Sequence, residues 1–423
     1  MQEAFLHYIW QFKKFDTTAL KSTRGEGITL RNTGHPNLHG GPDFFNAQLE
    51  IDGILWVGNV ELHIKSSDWY VHHHETDLAY DNVILHVVYE HDTDIFRKNN
   101  SVIPTVELKD IIHSKVFHNY QHLLMAPHKW INCESDFANV DDFIVDNWLE
   151  RLYIERLERK SKTIEELLYA TKNDWEAVLF TLLAKNFGLK INGDAFLSMA
   201  KSFDFSIIRK LHSQPLQLEA LLYGQAGVLD KDFEEAYYLS LVKEYHFLKQ
   251  KFNLSTTHVI PLQYFRLRPP NFPTIRLSQL AMLYHQHPNF FAKLMAAETL
   301  ENLYQLFRVG TSEFWTTHFT FEKTSKLSKK VLTNNFIDLL LINTVLPLKF
   351  SYLKHQGKNP TELNLQLAQM ISPEKNNIIT AFDALKPLAT SAMLTQALLQ
   401  LKTEYCDKNR CMKCAIGNSI LAK

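Results

Sequence analysis

A chain of 423 residues is too long for one simple core, so two or three domains are expected. With 45% hydrophobic and 22% charged residues and only 14 Gly and 14 Pro, the composition excludes long low-complexity tracts. The net charge of −1 excludes a uniformly basic nucleic-acid binder, yet the charge is uneven: residues 1–110 hold 9 Lys/Arg against 16 Asp/Glu and the remainder 36 against 30, so an acidic part suited to cations precedes a basic part suited to a polyanion, unless both are ordinary solvated surface.

The opening "MQEAFLHYIWQFKKF" has no basic n-region, no unbroken apolar h-region and no small-residue cleavage site, which predicts no secretory leader. Its Phe5, Leu6, Ile9 and Trp10 recur at helical spacing. "GITLR" (27–31) is a short strand, and "NAQLEID" (46–52) and "ILWVGNVELHIKS" (54–66) flank Asp52-Gly53, a two-residue hairpin signal. "TDLAYD" (76–81) predicts one or two helical turns, "NVILHVVYEHD" (82–92) a buried strand and "VIPTVEL" (102–108) another.

After about residue 109 the pattern turns helical. "DNWLERLYIERLERKSKTIEELLYA" (146–170) contains a Thr163-to-Glu166 capping box, and "NDWEAVLFTLLAKNFG" (173–188) starts at an Asp174 cap and ends in glycine. Ser372-Pro373 reads as a cap followed by proline at the first helical position. Amphipathic stretches cover about 231–252, 328–350 and 388–405, no apolar run has bilayer length, and no internal repeat is evident. The expected division is an α/β domain over 1–110, a linker over 111–140 around "APHKWINCESDF", and a mostly α-helical domain over 141–423.

Side chains alternate along a strand, so Glu61, His63 and Lys65 share one face, and Asp43, just before the partner strand, can meet Glu61 across the hairpin. Converging carboxylates repel unless a cation joins them, and Mg²⁺ or Mn²⁺ suits oxygen ligands. His63 is placed to act as a base and Lys65 to steady phosphate charge. His72, His74 and Asp77 follow closely and offer either a transition-metal site or support for the first one, against a polar loop packed by Trp69 and Tyr80; His73 reads as loop.

"GPDF…VELHIK" resembles the PD-(D/E)XK pattern of restriction-endonuclease-like phosphodiesterases, with Asp43 after Pro42, Glu61 in the acidic slot, and His63 where the lysine stands, a lysine following at Lys65. The resemblance implies an α+β fold with an αβββαβ core, a divalent metal on Asp43 and Glu61, and cleavage of DNA or RNA. The whole chain also resembles a bacterial domain-of-unknown-function family, number 2851 in its series, through "GPDFFNAQLEIDG", "GNVELHIKSSDWYVHHHETDLAYDNVILHVVYEHD", "EALLYGQAGVL", "RLRPPNFPTIRLSQLA" and "CDKNRCMKCAIG".

Cys406, Cys411 and Cys414 form a C-x4-C-x2-C cluster, and Cys133 is the one other cysteine; together they make a Cys₄ set for Zn²⁺ or an iron–sulfur cluster, against incidental buried thiols. So few cysteines point to a reducing cytoplasm rather than a disulfide framework. Arg266, Arg268 and Arg276 surround a helix start near Thr274, fitting either a phosphate receptor or an arginine-paired helix interface. Three functions remain open: a metal-dependent nuclease, a non-cleaving nucleic-acid-binding or scaffold protein with a nuclease-like fold, and a metalloprotein centred on the cysteines, in each case without a membrane partner.

Overall fold

The structure, a computed structural model, describes residues 1–37, 39–124 and 129–423. It comprises two compact units, residues 1–148 with 401–423 and residues 149–400. The closing cysteine-bearing segment, expected at the end of the helical domain, thus belongs to the first unit.

The first unit opens with helix α1 (Glu3–Gln11), whose Phe5, Leu6, Ile9 and Trp10 are buried as their spacing predicts. The Trp10 indole N–H donates to the Thr33 carbonyl at 3.0 Å and ties the helix to the chain leading into the sheet. Strands β1 (Ile28–Asn32), a two-residue β2 (His35–Pro36), β3 (Phe44–Ile51) and β4 (Ile54–Lys65) follow. A short helix α2 (Asp68–Val71) and a 3₁₀ turn at Leu78–Tyr80 lead to β5 (Val83–Glu90), and β6 (Thr105–Glu107) completes the sheet. The order is β1-β3-β4-β5-β6, with β2 beside β3. β1, β3 and β4 pair antiparallel, whereas β5 runs parallel to β4 and β6 parallel to β5.

Asp52 and Gly53 both take positive φ, 47° and 81°, the backbone that lets two residues turn a right-twisted hairpin, and Ile51 faces Ile54 across it. β4 is exposed over its first four residues and buried from Gly58 to His63. At Gly58 a Cβ would meet the Ile84 side chain at 2.4 Å and the Asn82 carbonyl at 2.8 Å, so glycine permits the close approach of β5. Register shifts fall on both sides of this point, between Phe44 and Ala47 on β3 and between Asn59 and Val60 against β5. These bulges lie immediately before Glu61.

No further sheet strand follows β6 among the described residues. The expected linker contains helix α3 (Ser114–Leu124), and its residues 125–128 lie outside the described chain, as does Leu38. Helix α4 (Asp142–Ala170) is continuous through Thr163 and Glu166, so that pair is not a helix start. No Gly or Pro interrupts the stretch, and Leu157, Ile164 and Leu168 keep one buried face across the supposed boundary. Asp174 does cap the next helix, accepting from the N–H groups of Glu176 and Ala177. Ser372-Pro373 starts nothing: the helix there is Asn377–Leu385, capped by Asn376, whose side chain satisfies the Ile379 N–H.

The helical stretch Asn334–His355 is long and apolar enough to cross a membrane, contrary to the sequence expectation, and its apolar window is 78% buried inside the protein. Lys349 lies within it and is 1% exposed. Its ammonium donates to the carbonyls of Leu294, Met295 and Ala297 at 2.8–2.9 Å, capping the end of helix Phe290–Ala296. Lys349→Met removes the ammonium from three carbonyls, of which Leu294 keeps the Ala297 N–H, so urea unfolding should show a loss of about 3 kcal/mol; Lys349→Arg should recover part of it.

Candidate functional site

Asp43 is delivered to the sheet by a braced loop. Gly41 takes φ 100°, and the Asn37 side-chain amide donates to the carbonyls of Gly40 and Pro42 at 3.2 and 3.0 Å. The Asn37 N–H donates to the Asp43 carbonyl at 2.7 Å. Gly34, at φ 90°, sits where a Cβ would lie 2.7 Å from the Phe45 carbonyl oxygen. The loop therefore closes tightly on β3.

Asp43 and Glu61 then clasp each other across the β3–β4 pair. The Asp43 N–H donates to Glu61 Oε2 at 3.0 Å, and the Leu62 N–H donates to Asp43 Oδ2 at 3.0 Å. Glu61 is 5% exposed. Burial raises its pKa to about 7; the His74 contact opposes the rise and the Asp43 carboxylate adds to it. On the other oxygen, Glu61 Oε1, the Nε2 atoms of His74 and His63 approach to 3.3 and 3.6 Å.

The imidazoles form a connected cluster. His63 Nδ1 lies 2.8 Å from His86 Nε2, and His63 Nε2 lies 3.0 Å from His72 Nδ1. Burial lowers His63 to about 4, with His74 and His72 adding to the effect, and drives the fully buried His86 well below its ordinary value, so both rings are neutral at pH 7. Tyr80 stacks on His74 with ring centroids 3.8 Å apart, and Trp69 meets both His74 and His86 edge-on. The aromatic pair thus packs the histidine loop, as the sequence suggested.

Helix α1 supplies a further pair that the sequence analysis missed. Glu3 and His7 are one turn apart, and His7 Nε2 stands 3.2 Å from Asp43 Oδ2 and 3.6 Å from Glu3 Oε1. Neither contact is aligned as a hydrogen bond, and Nε2 is buried without another partner. Burial disfavours a charge on His7, but Asp43 and Glu3 together outweigh it and raise the pKa to about 9.

Two trios thus have ligand atoms within 4.8 Å of one another: Glu3, His7 and Asp43, and His63, His72 and His74. Glu61 lies between them, one carboxylate oxygen turned to Asp43 and the other to the imidazoles. A cation at Glu3, His7 and Asp43 would replace the proton that His7 carries between the two carboxylates, and the mixed nitrogen and oxygen donors suit Mn²⁺ or Zn²⁺ better than Mg²⁺, which favours oxygen alone.

The other sequence candidates lie elsewhere or serve the fold. Lys65 is exposed at the end of β4, its N–H held by Asp68 at 3.0 Å. Asp77 is exposed and caps the 3₁₀ turn by accepting from the Ala79 N–H, so it does not join the cluster; His73 is an exposed residue at φ 58°. Arg266 and Arg268 are exposed in the second unit. Arg276, in the same unit, is 7% exposed and stacks on Phe336, and its Nη atoms donate to Gln279 and Asn271, the arrangement of a helix-packing residue. Cys133, Cys406, Cys411 and Cys414 line one hollow in the first unit.

Signals for the missed residues were present. Glu3 and His7 have the i, i+4 spacing of one helix face, and His86 is the one polar residue within the buried run Val83–Val88. The family model described as "Protein of unknown function (DUF2851)" matches residues 3–377. No curated protein and no solved structure matches the chain.

The raised pKa of Glu61 has a measurable consequence. Because the folded carboxyl binds its proton up to about pH 7 and the unfolded one only to its ordinary 4.5, stability is lost as pH rises through that window. In chelator-treated protein, Glu61→Gln should match wild type near pH 4.5 and exceed it at pH 8 by on the order of 2 kcal/mol in urea unfolding.

Proposed function

The chain belongs to the DUF2851 family, and from that premise we propose that it is a metal-dependent phosphodiester hydrolase acting on DNA or RNA through a restriction-endonuclease-like first unit. The observation that carries this is the buried Glu61 carboxylate lying between two trios of carboxylate and imidazole groups. Further support comes from the order of elements: a helix, an antiparallel three-strand run β1-β3-β4, a short helix, and β5 parallel to β4, the arrangement the motif resemblance calls for.

In this reading Asp43 and Glu61 hold the divalent ion, Mn²⁺ in preference to Mg²⁺ because imidazoles stand beside them, with His7 on the Asp43 side and His74 on the Glu61 side as further donors. A bound divalent ion would acidify water and offset charge on phosphate. The chain's own groups provide the rest. His63 has Nδ1 against His86 and Nε2 against His72, which orients the ring with Nε2 on the Glu61 side; proton acceptance at Nε2 requires the His72 contact to open. The Asp43 N–H fixes the orientation of Glu61, and the Leu62 N–H fixes that of Asp43, so neither carboxylate must reorganise. Lys65, exposed at the strand end, offers a cation to an incoming backbone.

A second reading, a non-cleaving nucleic-acid binder, is favoured by the buried neutral His63 in the lysine slot and by Lys65, whose charge acts on Asp92.

Single- and double-stranded DNA and RNA incubated with the protein and Mn²⁺ should be cut, and Asp43→Ala and Glu61→Ala should each lower the rate about 100-fold or more. Absence of cleavage with every substrate and metal defeats the hydrolase proposal; salt-sensitive binding without cleavage establishes the second reading.

A further inference from the structure

Four thiols from distant stretches of sequence meet in the first unit. Cys133, Cys406, Cys411 and Cys414 line one small hollow with Leu401, Tyr405 and Ile416, and each is a free thiol. Cys133, Cys411 and Cys414 are buried and Cys406 is half-buried. Incidental core cysteines would need no polar neighbours, because a thiol packs as a small apolar group.

Two of these sulfurs, on Cys411 and Cys414, are instead met by N–H donors. The Asn132 side-chain amide donates to Cys411 Sγ at 3.4 Å and to Asn409 Oδ1 at 3.0 Å, linking the two stretches. The backbone N–H groups of Ile416 and Gly417, at the start of the C-terminal helix Ala415–Ala422, are directed at the Cys414 sulfur. Gly417 makes that approach possible: a Cβ there would lie 2.2 Å from the Cys411 carbonyl oxygen, so any other residue would push the helix off the Cys411–Cys414 turn. Donors gathered around sulfur are the surroundings a metal-bound thiolate requires, since they stabilise its negative charge. Four thiolates lining one hollow, three of them on buried residues, repel one another unless a cation joins them.

We propose that Cys133, Cys406, Cys411 and Cys414 hold one thiophilic metal centre, a zinc ion or an iron–sulfur cluster, which fastens residues 401–423 to the body of the first unit. Its role is structural: four protein ligands close the coordination and leave no open position for substrate. Besides the metal, the segment is held by its buried Ile416, Ile420 and Leu421 and by the Asn119 side-chain amide on the Ile420 carbonyl and the Lys423 ammonium on the Asn139 carbonyl.

The test uses the full chain, purified without a metal column and desalted. Elemental analysis should find about one zinc per colourless chain, or iron with acid-labile sulfide and a broad visible absorbance. A strong chelator, with an oxidant for a cluster, should release the metal, raise the number of reagent-accessible thiols towards the full 4, and open residues 401–423 to protease. Cys411→Ser with Cys414→Ser should abolish metal retention; if that variant does not fold, metal release from wild type supplies the same readout. Asp43→Ala and Glu61→Ala should retain the metal, which separates this centre from the hydrolase proposal. A folded full chain that carries no stoichiometric metal, and that binds neither added Zn²⁺ nor iron and sulfide, overturns the proposal.

Discussion

A carboxyl group withdrawn from water is among the most demanding things a fold can contain, and the first unit is arranged around one. Glu61 is placed by the bulges before it on β4, oriented by the Asp43 N–H, and faced by two imidazoles. In compensation the surroundings carry or withhold charge: His7 is pushed towards imidazolium beside Asp43, while His63 and His86 are kept neutral by burial. Isolated, a site of this kind weakens the fold. Matched to a cation, the same strain becomes affinity, because the donors are already desolvated and in place.

Much of this was legible along the chain. The two-residue period of a strand put Glu61 and His63 on one face, and Asp52-Gly53 fixed the hairpin that brings Asp43 opposite. The Cys406–Cys411–Cys414 cluster called for a fourth ligand, and Cys133 was the one cysteine left. Other features depend on long-range packing. Nothing local links His7 to Asp43 or His86 to His63; those contacts exist because α1 and β5 pack where they do. Local patterns also misled where context prevailed. Thr163 and Glu166 spell a capping box inside a helix that nothing interrupts, and Asn376 rather than Ser372 took the cap position because the helix starts later. Asp77 carries the chemistry of a ligand but spends it on a backbone N–H.

The second unit poses a different problem, that of burying polar groups in a helical core. Glu219, 1% exposed, receives hydrogen bonds from Ser278, Ser312 and Tyr237, and Arg276 lies against Phe336. Such contacts, with the Arg276 Nη atoms bonded to Gln279 and Asn271, tie neighbouring segments of this unit together. That is why an arginine-rich stretch that resembled a phosphate receptor contains, in Arg276, a packing residue.

The first unit is interrupted in sequence: residues 149–400 separate its greater part from residues 401–423. During vectorial synthesis the sheet, Asp43 and Glu61 leave the ribosome long before the strip that completes their unit. The helical unit can mature in the interval, while the first waits for residues 401–423 to emerge. Truncation within residues 401–423 would therefore be felt far earlier in the chain, at Asn119, Asn132 and the hollow lined by Cys133.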